Sequence, residues 1–237
     1  MVMELSLGDL SLDVTFKDIK NVHLSVHPPE GRVTVSAPTS MNLDMVRVFA
    51  ITKLGWIKRQ QKKLRHQPRE TVREYVGHES HYLWGKRYLL DIVTSDRARV
   101  TARHSRIELR VPAGWSAQQR RALISAWYRD QIKAALPSVI AEWAPKIGVV
   151  VDKAHVQQMK TKWGSCNPRA RAIRINTELA KKPRKCFEYV VVHELAHLLE
   201  PTHNERFRTM MDRAMPDWRL RRSLLNELPL GHVTRSS

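Results

Sequence analysis

His193-Glu194-Leu195-Ala196-His197, followed six residues later by His203, is the stretch on which the reading of this chain turns. Histidines four apart on a helix share one face, close enough to grip a single zinc ion. Glu194 follows the first histidine directly, so it can reach a water on that ion and take its proton. His203 lies past the expected helix end, where a returning chain supplies a third nitrogen. Three protein ligands leave a fourth position open, which a catalytic zinc needs. An ordinary amphipathic helix can carry the bare motif. Here, however, His193, Glu194 and His197 interrupt an otherwise apolar run over residues 189–199. Polar groups in such a run are costly unless something binds them.

Working outward, the motif helix is expected over 183–199, with Pro183 in its first turn and Pro201 preventing its continuation. Before it, 160–166 and 172–176 read as a hairpin across Asn167-Pro168. Ser116 and Gln119 form a capping-box pattern. The helix it opens carries Ile124, Tyr128, Ile132 and Leu136 on one stripe and is expected to stop before Pro137. A short helix over 139–143 and short strands at 149–151 and 156–159 follow in this reading. Beyond His203, helices are expected from about 205, with Phe207 and Met211, and over 217–228.

The first half alternates. Val14 and Phe16, then Val22, Leu24 and Val26, then Val33 and Val35 give strands, the last two runs forming a hairpin across Pro28-Pro29-Glu30-Gly31. A helix is expected over 42–64 and a polar linker over 66–73. Strand-like runs recur at 82–84, 88–93, 99–101 and 107–111. Arg32-Val-Thr-Val-Ser-Ala-Pro38 resembles Arg106-Ile-Glu-Leu-Arg-Val-Pro112, and the pair is read as two strand-to-helix junctions. The fold class is α+β, with a β-rich basic region at 1–115 that contains one long helix, and a catalytic domain at 116–237.

Net charge is +18, from 41 basic and 23 acidic residues, a surplus that attracts phosphate polymers. Lys58, Arg59, Lys62 and Lys63, with Trp56 interleaved on the same expected helix, are the candidate contacts for DNA or RNA. No apolar run reaches the length of a membrane span, and the first ten residues carry Glu4 and Asp9 rather than a basic leader. Two cysteines, Cys166 and Cys186, suit a reducing cytoplasm and are read as reduced and structural.

Trp163-Gly-Ser-Cys166, Asn176, residues 189–198 and His203-Asn-Glu-Arg-Phe207 together resemble the YgjP-like metallopeptidases, bacterial relatives of the SprT zinc proteases within the zincin superfamily. The resemblance extends along almost the whole chain. It implies a zincin-like domain in which the helix from Ser116 backs the motif helix and a small mixed sheet sets an edge strand, 160–166, beside a cleft. Lys162, Trp163 and Gly164 would bind an extended peptide there by strand addition. It further implies Zn2+ held by His193, His197 and His203, Glu194 as general base, and a peptide or protein substrate. The metzincin pattern, with glycine three residues after the second histidine, is not met, because Glu200-Pro201 stands there. A site with Glu200 or Glu205 in place of His203 is the alternative ligand set. Lys162, Tyr189 and Arg174 are candidate donors to a developing oxyanion, and Asp212 is a candidate acceptor behind a ligand imidazole. The competing function is a nucleic-acid-associated protein with a structural or vestigial metal site. Glu194 argues against it, since a structural zinc needs no base.

Overall fold

The computed structural model describes residues 2–27, 31–66, 73–159 and 162–228. Two compact units divide the chain near residue 68. In the first, strands β1 (Val2–Leu7), β2 (Leu10–Lys17), β3 (His23–His27) and β4 (Arg32–Pro38) form one sheet in the order β1-β2-β4-β3. The alternation read from the sequence sets its buried face: Leu12 and Val14 on β2, Val33 and Val35 on β4. Helix α1 (Leu43–His66) presents Val46, Ala50 and Ile57 to the same cluster. The expected hairpin forms as β3 and β4, antiparallel with Val26 opposite Val33. Its turn, 28–30, lies outside the described residues, as does most of the expected linker.

The second unit begins by repeating this topology. Strands β5 (Ser80–Leu83), β6 (Lys86–Thr94), β7 (Arg99–Arg103) and β8 (Arg106–Val111) pair in the order β5-β6-β8-β7. In each sheet the second and fourth strands are parallel and the outer pairs antiparallel, and a long helix follows. The likeness of 32–38 to 106–112 therefore reflects the same strand in two copies of one β4α arrangement, not merely a shared junction. Strand order depends on long-range pairing, which a single stretch of sequence does not carry.

The boundary expected between 115 and 116 falls inside the second unit. Leu90, Ile107 and Leu109 of the second sheet belong to one buried cluster with Ile124 and Ile132 of the following helix and with Phe187 and Val191 further on. That helix, α2 (Ala117–Ile147), opens with the expected capping box: Ser116 N–H donates to Gln119 Oε1 at 2.9 Å and Gln119 N–H to Ser116 Oγ at 3.3 Å. It does not stop at Pro137 but runs through Pro137 and Pro145 to a left-handed Gly148. Ile132, Leu136 and Val139 keep one buried face in register across the proline, so packing outweighs the lost backbone bond. Residues 149–151 are not a strand. Strand β9 (Lys153–Gln157) starts earlier than expected and pairs in parallel with β11 (Ala172–Asn176), which pairs antiparallel with β10 (Gly164–Asn167). The expected 160–166 strand is shorter than read: β10 begins at Gly164, Lys162 and Trp163 precede it outside any strand, and 160 and 161 lie outside the described residues.

Helices α3 (Arg184–Ala196), α4 (Glu205–Ala214) and α5 (Trp218–Glu227) complete the unit. Helix α3 is buried on nearly every side, which its unbroken apolar run requires. Its start is held by the β5–β6 turn. Trp84 and Gly85 both have positive φ, the geometry of a tight hairpin turn. Trp84 N–H donates to Ala180 O at 2.7 Å, and Tyr128 Oη donates to Tyr82 O at 2.8 Å. A Cβ on Gly85 would lie 3.0 Å from Cα of Pro183, the residue before α3. Among the described residues no helix is long and apolar enough to cross a membrane, and both cysteines are unpaired.

The Gly85→Ala variant is expected to lose about 1–3 kcal/mol of stability, from left-handed strain and the collision with Pro183. Urea unfolding measures it. An unchanged midpoint would mean that the turn does not fix the start of α3.

Candidate metal centre

Helix α3 ends at Ala196, and His197 is its C-cap residue. Leu199 N–H and Glu200 N–H both donate to Ala196 O, tightening the last turn, and Pro201 turns the chain away. Glu200 stays in this connection: its side-chain oxygen accepts from Thr202 Oγ1 at 3.0 Å, and its backbone oxygen takes His197 Nδ1 at 2.9 Å. Asn204 caps α4, accepting from Phe207 N–H at 3.0 Å. His203 is thereby fixed one residue before a capped helix and returned to the motif.

The result is a triangle of nitrogens. Nε2 of His193 stands 3.2 Å from Nε2 of His197 and 3.0 Å from that of His203, and the third side is 3.1 Å. A tetrahedral ion with nitrogen ligands at about 2.1 Å keeps them about 3.4 Å apart, so the three imidazoles fit one. With His197 Nδ1 bonded to a carbonyl, that nitrogen carries the proton and Nε2 is left as an acceptor. Burial pushes the pKa of His193 down to about 3, with the charges of His197, His203 and Arg222 adding to the effect. The neutral ring thus keeps one nitrogen lone pair free to bind. Nδ1 of His193 is buried without a hydrogen-bond partner among the described residues.

Phe207 is the floor. Its ring lies 5.0, 4.7 and 4.9 Å from those of His193, His197 and His203, and it is fully buried. Sequence reading placed Phe207 in a helix but gave it no part in the site. The available signal was its spacing, one helical turn past His203.

Glu194 is 5% exposed. Burial raises its pKa to about 7, against the opposing charge of Lys162. Strand β10 presses on it: a Cβ on Gly164 would lie 2.6 Å from Glu194 Oε1 and 2.7 Å from its Cγ. Only glycine lets the strand run this close to the carboxylate. Trp163 O accepts from Asn176 N–H at 2.9 Å, and Asn176 Nδ2 donates to Lys162 O at 2.7 Å. Buried Asn176 thus locks Lys162, Trp163 and Gly164 against β11.

Other expected residues are placed elsewhere. Asp212 does not reach an imidazole; its carboxylate accepts from Trp218 Nε1 at 2.7 Å and pairs with Arg219. Arg174 lines a separate cavity between α2 and β9, with Lys133 and His155. Glu205 is exposed and paired with Arg208 at 3.3 Å. Tyr189 does adjoin the site, its ring 5.7 Å from that of His193. Lys58, Arg59 and Lys62 are exposed along α1; the side chain of Lys63 lies outside the described residues.

The sequence model of the YgjP-like family, described as a metallopeptidase domain, matches residues 20–228. Among curated proteins none matches the chain. Among solved structures, the metallopeptidase zymogen of Pyrococcus abyssi abylysin is similar over 39% of this chain and 97% of that one, at 16% identity and a TM-score of 0.33.

Proposed function

The chain belongs to the YgjP-like family of metallopeptidase domains, and from that premise we propose that it is a zinc-dependent peptidase whose ion is held by His193, His197 and His203 and whose general base is Glu194. The observation that carries this reading is the convergence of three acceptor nitrogens within 3.2 Å, with the one buried carboxylate of α3 following the first ligand in sequence. Three imidazoles suit zinc and leave a position open.

When bound, the ion supplies an acidified water and a Lewis-acidic seat for a carbonyl oxygen. Glu194 takes a proton from that water and returns it to the leaving amine. Burial of Glu194, with β10 pressed against it at Gly164, limits solvent around the carboxylate. The outer edge of β10, free of strand partners among the described residues, supports binding of the peptide in an extended form, with Gly164 at its start and Lys162 and Trp163 in the segment leading into it. A zincin-like layout, with α2 backing α3, belongs to the same proposal.

The Glu194→Gln variant is expected to fold and to keep about one zinc per chain. It should lose at least about 10²-fold in cleavage of an unfolded protein such as casein, because the amide keeps the shape but accepts no proton. Metal analysis and cleavage are measured on the same samples. Cleavage by Glu194→Gln at the wild-type rate would refute the assignment of the base.

A separate proposal concerns α1. Lys53, Lys58 and Arg59 are exposed along it beside Trp56, 39% exposed, which supports sequence-independent contact with nucleic acid. A labelled duplex should bind in the micromolar range at low salt and dissociate steeply as salt rises. Fluorescence anisotropy with wild type and the Lys58→Glu/Arg59→Glu variant tests it; binding indifferent to the substitutions removes α1 as the contact.

A further inference from the structure

A cavity of about 420 Å³ opens between α4 and α5, lined by Arg208, Trp218, Arg219, Arg222, Ser223 and Asn226. Three arginines line it and no acidic residue does. Two of them are engaged at its rim. Arg208 pairs with Glu205 at 3.3 Å, and Arg219 pairs with Asp212 and lies 4.5 Å over the Trp218 ring. Arg222 has no hydrogen bond or ion pair among the described residues.

The cavity is tied to the metal centre. Helix α5 is fixed on α3 by Arg221, which donates to Glu188 at 2.8 Å and to Asp217 at 2.9 Å. Trp218, a wall of the cavity, stacks on Tyr189 with ring centroids 6.4 Å apart and planes 8° from parallel. Tyr189 in turn is 5.7 Å from His193. One aromatic ring therefore stands between the cavity wall and a ligand imidazole.

Arg222 is exposed on this concave surface with no protein partner among the described residues, and a guanidinium so placed can grip a planar anion through two parallel N–H bonds. Resting on the peptidase reading above, we propose that this cavity is an acid-recognising subsite in which Arg222 binds a carboxylate of the peptide substrate. The carboxylate is either an Asp or Glu side chain near the scissile bond or the chain's C-terminal group. Arg222 thus sets a preference for acidic substrates; the Ser223 hydroxyl beside it donates to Glu227 Oε1 at 2.9 Å.

Two readouts test the subsite. For a reporter peptide taken from a site cut in unfolded casein, kcat/KM is compared among a Glu-bearing form, its Gln twin, and forms with free or amidated C-terminus. Wild type should favour the carboxylate by about tenfold or more, as expected for charge-assisted hydrogen bonds. In Arg222→Gln that ratio should fall to about one, and Arg222→Lys should restore part of it. Preference that follows the side chain identifies an internal acid; preference that follows the free terminus identifies end recognition.

The second readout needs no cleavage. In the zinc-loaded Glu194→Gln protein, the Trp218 indole N–H signal, assigned with Trp218→Phe, is followed by NMR. It should shift with acetyl-Ala-Ala-Glu-Ala-Ala-amide or acetyl-pentaalanine with a free carboxylate, and not with the Gln twin. The shift should vanish on adding Arg222→Gln. If that selectivity appears without cleavage of any peptide by the wild type, the peptidase reading fails and the subsite stands. A ratio near one in wild type, selectivity that survives Arg222→Gln, or a signal moved only by a short oligonucleotide overturns the subsite.

Discussion

Three acceptor nitrogens 3.0–3.2 Å apart repel one another unless a cation or shared protons stand between them. The surrounding structure is arranged to hold them there. Helix α3 supplies two, and its burial on nearly every side stops the helix from rotating to relieve the strain. The Glu200 carbonyl fixes the second ring, the Asn204 cap fixes the third, and Phe207 closes the space beneath all three. An ion bound there would offset the desolvation of these polar residues in so apolar a segment.

The supports of α3 reach well beyond the motif. Its N-terminus meets the β5–β6 turn at Gly85, its flank meets β10 at Gly164, and its far side is tied to α5 through Glu188 and Arg221. The second four-stranded sheet is therefore part of the scaffold for the site, although its topology repeats that of the first unit. In the first unit the helix after the repeated sheet, α1, shares a core with its own sheet. In the second, the corresponding α2 also contributes to the cluster that contains α3. The same β4α arrangement thus serves as a self-contained unit in one place and as a foundation in the other.

Much of this was legible in the sequence where local rules decide. Covalent spacing alone put His193 and His197 on one face with Glu194 directly after the first, and the Ser116–Gln119 capping box and the β3–β4 hairpin followed from residue type and alternation. What stayed hidden depends on contacts distant in the chain. Pro137 argued for a helix end because its lost backbone bond is local, whereas the buried stripe that carries α2 onward is tertiary. The division near 68 depends on which sheet shares a core with which helix. Asp212 had the chemistry to orient an imidazole, but Trp218 and Arg219 take both its oxygens. Arg222 looked like one charge among many on a basic helix until the cavity singled it out.

The central claim is that these three histidines, and no other side chains, hold a catalytic zinc with one position left open. X-ray absorption at the zinc edge on the metal-loaded protein tests it most directly. The account predicts a four-coordinate ion with three imidazole nitrogens at about 2.0–2.1 Å and one light-atom ligand from solvent, and loss of one imidazole in the His203→Ala variant. A sulfur ligand, which would bring in Cys166, or a carboxylate in place of the third imidazole with His203→Ala unchanged, would contradict it.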